Sequence, residues 1–358
     1  MNINYMFENN VYTYTRLDDL FITDTDVNDY LVEHNFNVNI NIICFNINNK
    51  GKYPFFQFML HNYLSGVPFI GQIQNKFSFP IMSCKYCTSD DLYSNLITHV
   101  SDNLLKTYHN IQLDPSKIEL KGYYENNNEL YAFVDVSKIS VEPCLLYKNT
   151  EYWFVLLTEI TNNQSVCDMK INKEVINFFI THCSYFFLEN PEEHTLYPHP
   201  DVIYDGSHIK KADFQNVFGI SKKDDIYGKQ YYVTSSLDKA FRNGGWSHTF
   251  SPEYKYDKLI TDNEFGRYIQ GGINRIAILS DKIIYKTIPI VDVNDDQPIN
   301  EFVDSLFTLY DTIYIEDLDQ PPTILIKEYS QQIPLSYHKI NKFSLHESWN
   351  ECKEYSII

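Results

Sequence analysis

The chain has 358 residues, a formal net charge of −18, and 44% hydrophobic and 16% aromatic residues, with 29 Tyr and 24 Phe. That length exceeds one ordinary hydrophobic core, so two domains are expected, and the apolar content excludes a disordered chain. The acidic balance excludes bulk binding to nucleic acid or anionic lipid, because a field of that sign repels phosphates over about 8 Å at physiological salt.

No apolar run reaches the roughly 20 residues of a spanning helix, and the opening MNINYMFENN has neither the basic nor the apolar region of a secretion signal. A soluble, cytosolic protein is expected. Seven widely spread cysteines in so long a chain are expected to be reduced thiols.

The first 36 residues are polar and acidic and read as a loosely attached arm, followed by an N-terminal α/β domain over 37–190. FNVNINIICF sets Phe36, Val38, Ile40 and Ile42 at period two, a half-buried strand. TSDDLYSNLITHVSDNLLKTYH sets Leu92, Leu96, Val100, Leu104 and Tyr108 at helical spacing, with Thr88 and Asp91 as a capping box. KIELKGYY and ELYAFVDV flank an Asn-rich turn and predict a hairpin. EYWFVLLTEI reads as a buried strand and INKEVINFFITH as a short helix.

Pro191, Pro198 and Pro200 punctuate a stretch without periodicity, so 191–201 is the expected linker and 202–358 the C-terminal α/β domain. There DVIY, QYYVTS, NRIAIL, KIIYK, TIYIE and TILIKEY predict strands, and IKKADFQNVF, SLDKAFRN and PINEFVDSLFTLY predict helices. The fold class is therefore α+β or α/β, in two mixed parts with no transmembrane segment.

The window from Gly206 to Ile290 is net +4 while the rest of the chain is −22, and it holds eight of the 12 glycines and three of the four arginines. Glycine admits close backbone approach, and Arg offers a planar fork to carboxylate or phosphate. A concave site for an anionic group is expected there, with Arg242 and Arg275 as contacts and Gly206, Ser207, Tyr231 and Ser235 lining it. The competing reading makes Gly244 and Gly245 a helix cap and Arg275 a surface ion pair.

Other constellations carry less. Cys84-Lys85-Tyr86-Cys87 is a C-x-x-C, but His99 and His109 lie ten apart on the following helix and cannot complete a zinc finger. The Gly271–Arg275 stretch lacks the Lys-Ser/Thr of a phosphate loop. No metal and no cofactor is expected. The partner is expected to be a protein or a small anionic ligand, not bulk nucleic acid or membrane.

The strings YYVTSSLDKAFRNGGW, GGINRIAILSDK and KEYSQQIPLSYHKI, with WFVLLTEI and INFFITHCSYFFL upstream, resemble an uncharacterised protein family of large DNA viruses infecting algae and protists. Only four alanines and four arginines among abundant Asn, Ile, Tyr, Phe and Lys agree with an A/T-rich genome of that kind. The resemblance spans about Tyr53 to Lys342 and implies a viral protein of the host cytoplasm or the virion, with no assigned activity. A second set of residues is similar to ADP-ribosyltransferases: Asp205-Gly206-Ser207, then a helix, then Gly228-Lys229-Gln230-Tyr231-Tyr232-Val233-Thr234-Ser235-Ser236 with Ala240 beyond. It departs from that family in having Asp205 where a His belongs. The catalytic carboxylate stays open among Glu264, Glu301, Glu316 and Glu328.

Overall fold

The computed structural model describes residues 15–65, 74–105, 114–139, 144–146, 151–167, 169–208, 222–237, 239–240, 271–287, 299–317, 320–343 and 355–357. The chain divides into two compact units, Met1–Val141 with Thr150–His199, and Glu142–Asn149 with Pro200–Ile358.

In the first unit, residues 15–36 are not the loose arm that their polarity suggested. Thr23 and Asp26 form a capping box at the start of α1 (Asp24–Glu33), and Val27, Tyr30 and Leu31 put a buried stripe on one face. Ile22 bridges to Tyr123, which ties this segment to the sheet. The strands that follow are β1 (Asn37–Asn48), β2 (Phe55–Ser65), β3 (Gln74–Ser78) and β4 (Ile81–Lys85). Helix α2 (Ser89–His99) comes next, with the expected Thr88–Asp91 capping box, and continues as a π-helical turn over Val100–Leu105. Tyr108, expected on the same stripe, lies outside the described residues.

The hairpin β5 (Glu119–Asn126) and β6 (Glu129–Asp135) turns at Asn127-Asn128, both at positive φ, which is what a tight two-residue reversal needs. After β7 (Cys144–Leu146), which belongs to the second unit, come β8 (Tyr152–Leu156), β9 (Ser165–Val166), β10 (Met169–Ile171) and α3 (Lys173–Thr181). The sheet order is β5-β6-β1-β2-β3-β10-β9, with β4 on β1 and β8 on β2. Strand β1 is central: Val38, Ile40 and Ile42 alternate inward as expected, but Phe36, expected on the same face, stands before the strand in a turn at φ 57 and is exposed; from Ile43 to Phe45 every residue is buried. The core is a cluster of rings, Phe56, Phe58, Phe133, Phe179 and Phe186 among them, with the Phe58 and Phe179 centroids 4.5 Å apart.

The segment read as a linker is partly built. A short hairpin joins β11 (Glu189–Asn190) to β12 (Thr195–Leu196), His199 is buried, and Asp201 already opens a strand. Prolines 191, 198 and 200 flank these pieces without entering them.

The second unit contains β13 (Asp201–His208), β14 (Lys223–Asp225), β15 (Gly228–Thr234), β16 (Gly271–Ile278), β17 (Ile283–Thr287), helix α4 (Ile299–Leu306), β18 (Thr312–Asp317), β19 (Gln320–Ile326), β20 (Gln332–Phe343) and β21 (Tyr355–Ile357). Their order is β17-β18-β19-β15-β13-β16-β20-β21, with β14 on β15 and β7 on β20. Val303 and Phe307 cover Ile313, Ile315 and Leu325 on one face, and Ile203, Val233, Ile276, Ile278, Ile324 and Ile326 cluster on the other. The helix predicted from IKKADFQNVF, and all but the start of the one from SLDKAFRN, lie outside the described residues.

Strand β20 was not anticipated. Ile333, Leu335 and Tyr337 carry the period-two signal, and Pro334 interrupts it; the structure accommodates that proline at a bulge opposite Arg275 and Ile276. Pairing is mainly antiparallel in both sheets, with parallel exceptions at β1–β6, β3–β10, β17–β18 and β7–β20. Of the two fold classes expected, the mixed architecture is therefore α+β. Among the described residues no helix is long and apolar enough to cross a membrane.

Candidate functional site

Strand β13 carries Gly206 and Ser207, and its two neighbours treat it very differently. Along β16 it forms eight consecutive pairs, from Asp201 opposite Ile278 to His208 opposite Gly271. Along β15 it forms one pair, Tyr204 opposite Thr234. Strand β15 instead pairs through Tyr231–Thr234 with β19, and its start folds back on β14, helped by Gly228 at φ +83. The sheet is thus two ladders joined at a single pair. Beyond that joint no register pair links Asp205–His208 to β15.

On the face that α4 covers, register aligns Thr323, Thr234, Tyr204, Arg275 and Ser336 in one row across five strands. Arg275 is 1% exposed, and its Nη1 donates to Ser336 Oγ at 3.1 Å. Burial raises the energetic weight of each hydrogen bond to this cation, since a guanidinium out of water must be satisfied by protein. At the other end of the row Lys239 Nζ donates to Thr323 Oγ1 at 2.7 Å. Thr234 Oγ1 donates to Pro322 O and accepts from Ser236 N–H, while Ser236 Oγ accepts from Lys239 N–H and caps the turn that begins there. The two cations therefore stand near opposite ends of a row spanning about 19 Å at strand spacing.

The opposite face carries a buried polar pair, Asn274 Nδ2 donating to Asp205 Oδ2 at 3.4 Å, beside Tyr337 in register. Tyr231 is half-buried against the apolar cluster on this face, and Lys222 Nζ lies 5.3 Å from its ring centroid.

The six residues expected to converge are thus distributed. Gly206 and Arg275 share one face, Tyr231 lies on the other, and Ser235 is exposed just past the end of β15. Ser207 pairs through its backbone register with Gly272, and Arg242 lies outside the described residues. The surface ion pair weighed for Arg275 does not hold. It is the fifth residue of an eight-residue strand with a neighbour on each side, so its side chain is covered.

No family model matches this chain, and no curated protein matches it either.

Near the start of β13, burial sets two titratable groups. Burial pushes the Asp201 carboxyl from its ordinary 3.8 to about 6, and the charge of Asp201 in turn helps hold the hydroxyls of Tyr285 and Tyr314 above the usual tyrosine range. His199 is driven down to about 3 by burial and packs its ring 4.3 Å from that of Phe187. In the first unit Cys84 and Cys87 are joined as a disulfide, contrary to the reduced thiols expected. The physical reason is local: Cys84 is the penultimate residue of β4, Tyr86 just past the strand turns back at φ +59, and the Cα atoms come to 6.0 Å, within disulfide range.

Proposed function

We propose that the protein is a binding protein whose second unit takes a small anionic ligand at the joint between β13 and β15. The observation that carries this reading is the single Tyr204–Thr234 pair. Past it, the backbones of Gly206 and Ser207 on one side and of Tyr231 and Tyr232 on the other share no register pair, and this stretch of the joint is where the ligand would be received. Lys239, tied to Thr323 one strand from the joint, and Arg275, beside Gly206 on the same face, supply positive charge within an acidic chain. The viral setting, host cytoplasm or virion, is part of the proposal and rests on the family resemblance and on an amino-acid composition of the kind that A/T-rich codons give.

A second reading, an ADP-ribosyltransferase-like enzyme, is favoured by one specific feature. The two strings that carry the likeness, Asp205-Gly206-Ser207 and the Gly228–Ser236 segment, fall on the adjacent strands β13 and β15. The test is thermal denaturation with inorganic pyrophosphate, ATP and ADP-ribose. A ligand at 100 times its Kd stabilises by about 2.7 kcal/mol, about 5–10 °C for a unit of this size. At least one of the three is expected to do so, and Lys239→Gln to weaken it; if none raises the melting temperature, the binding reading fails. Release of nicotinamide from NAD by the purified chain would select the second reading.

A further inference from the structure

We propose that Cys84 and Cys87 form a reversible thiol–disulfide site at the start of α2, poised by Asn95. The sequence pattern alone does not require this, since a C-x-x-C can be an incidental pair. Three observations together do. The disulfide closes a turn whose two inner residues, Lys85 and Tyr86, are exposed, Tyr86 to 82%. Cys87 is the residue immediately before the N-cap Thr88, where the positive end of the α2 dipole favours a thiolate. Asn95, two turns into the helix, aims its Nδ2 at both sulfurs, 3.7 Å from Cys84 Sγ and 3.6 Å from Cys87 Sγ. An amide that donates to sulfur stabilises the anionic form, and one donor shared by two sulfurs serves whichever is released.

Cys84 is 6% and Cys87 2% exposed, so exchange passes through opening of the exposed turn between them. The partner is a low-molecular-weight thiol of the glutathione class. Its thiolate attacks Cys84 Sγ; the S–S bond breaks, and Cys87 leaves as the thiolate that the helix end and Asn95 favour. A second thiol then attacks the mixed disulfide, releasing Cys84 as a thiol and the oxidised partner. The balance is one protein disulfide and two thiols giving two protein thiols and one small disulfide. Three further cysteines of this unit, Cys44, Cys167 and Cys183, are buried thiols, and burial pushes the Cys44 thiol well above the ordinary range.

The full chain, folded, is equilibrated in buffers of graded reduced-to-oxidised glutathione ratio, quenched with acid, alkylated and digested with trypsin. Cleavage after Lys76, Lys85 and Lys106 puts Cys84 and Cys87 on separate peptides, so mass spectrometry finds them linked only when the disulfide is closed. The expected result is a sigmoidal passage from linked to alkylated peptides, with Asn95→Ala moving the midpoint about tenfold toward more reducing ratios. Peptides that stay linked at the most reducing ratio, or unlinked at the most oxidising one, overturn the proposal. An unmoved midpoint in an Asn95→Ala protein of unchanged helix content overturns it as well. The titration of the unsubstituted chain decides the matter even where that variant does not fold.

Discussion

Replacing Asp201 by Asn is expected to stabilise the protein at neutral pH and to leave it unchanged in acid. The carboxyl stands at the first position of β13, is partly covered, and lies within electrostatic reach of the Tyr285 and Tyr314 hydroxyls. Its folded value of about 6 lies above its ordinary 3.8, so between these two pH values the native state binds the proton that the unfolded state has lost. Stability from this group is therefore full below about 3.8 and is lost as pH rises through about 6; the displacement is worth about 3 kcal/mol. Both tyrosines are neutral throughout this window and add no slope. His199 works in the opposite direction: with its folded value near 3 against an ordinary 6.5, the unfolded state holds the extra proton, and stability rises with pH across that interval. The two slopes partly cancel in the parent, so the informative quantity is the difference between parent and Asp201→Asn. The amide mimics the neutral carboxyl in size and polarity without titrating. Urea unfolding at a series of pH values extending from about one unit below 3.8 up to 7.5 should give coincident stabilities at the acid end. The gap should open through the window and reach up to about 3 kcal/mol in favour of the variant at pH 7. Parallel curves over the whole range, or a variant less stable at pH 7, would refute the reasoning.

Three further outcomes follow from geometry. Arg275→Lys keeps the charge but gives up the fork that reaches Ser336 in a covered position, so stability should fall by about 1–3 kcal/mol; an unchanged melting temperature would place the side chain in solvent. Thr88→Ala removes the hydroxyl that accepts from Asp91 N–H, while the backbone N–H at position 88 still donates to the Asp91 carboxylate, and should cost about 1 kcal/mol, read from the urea midpoint of the first unit. Gly122→Ala would drive a methyl into the Phe21 ring and should cost about 1–3 kcal/mol, most of it recovered in the Phe21→Ala double variant; simple additivity of the two changes would contradict the contact.

Some of the candidate site was legible from residues and some was not. The concentration of glycine and arginine between Gly206 and Ile290 marks the strands β13, β15 and β16, of which β13 lies between the other two. It did not mark which face each residue takes: Gly206 and Arg275 lie on one, Tyr231 on the other. The flanking apolar residues of Ile273-Asn274-Arg275-Ile276 were the available sign that Arg275 belongs to a covered strand, and its rarity drew attention to charge instead. Lys239, Thr323 and Ser336 were not singled out at all, because each becomes part of the row only through register with strands 60 or more positions away. The C-x-x-C is visible in the sequence, where its spacing from His99 and His109 speaks against zinc. The pairing was missed because it depends on Tyr86 adopting positive φ.

What the sequence determined by itself is what is local. Thr88 and Asp91 begin α2 because a hydroxyl and a carboxylate three residues apart satisfy each other's backbone donors. The Asn127-Asn128 turn reverses β5 into β6 because Asn tolerates the left-handed region. Val38, Ile40 and Ile42 alternate because a strand does. What only the tertiary structure decided is which strands meet. The parallel partnership of β1 with β6, the lone Tyr204–Thr234 joint and the bulge that seats Pro334 each follow from contacts between distant segments. Period two fixes the two faces of a strand, while the choice of neighbour depends on burying both faces of the whole sheet at once.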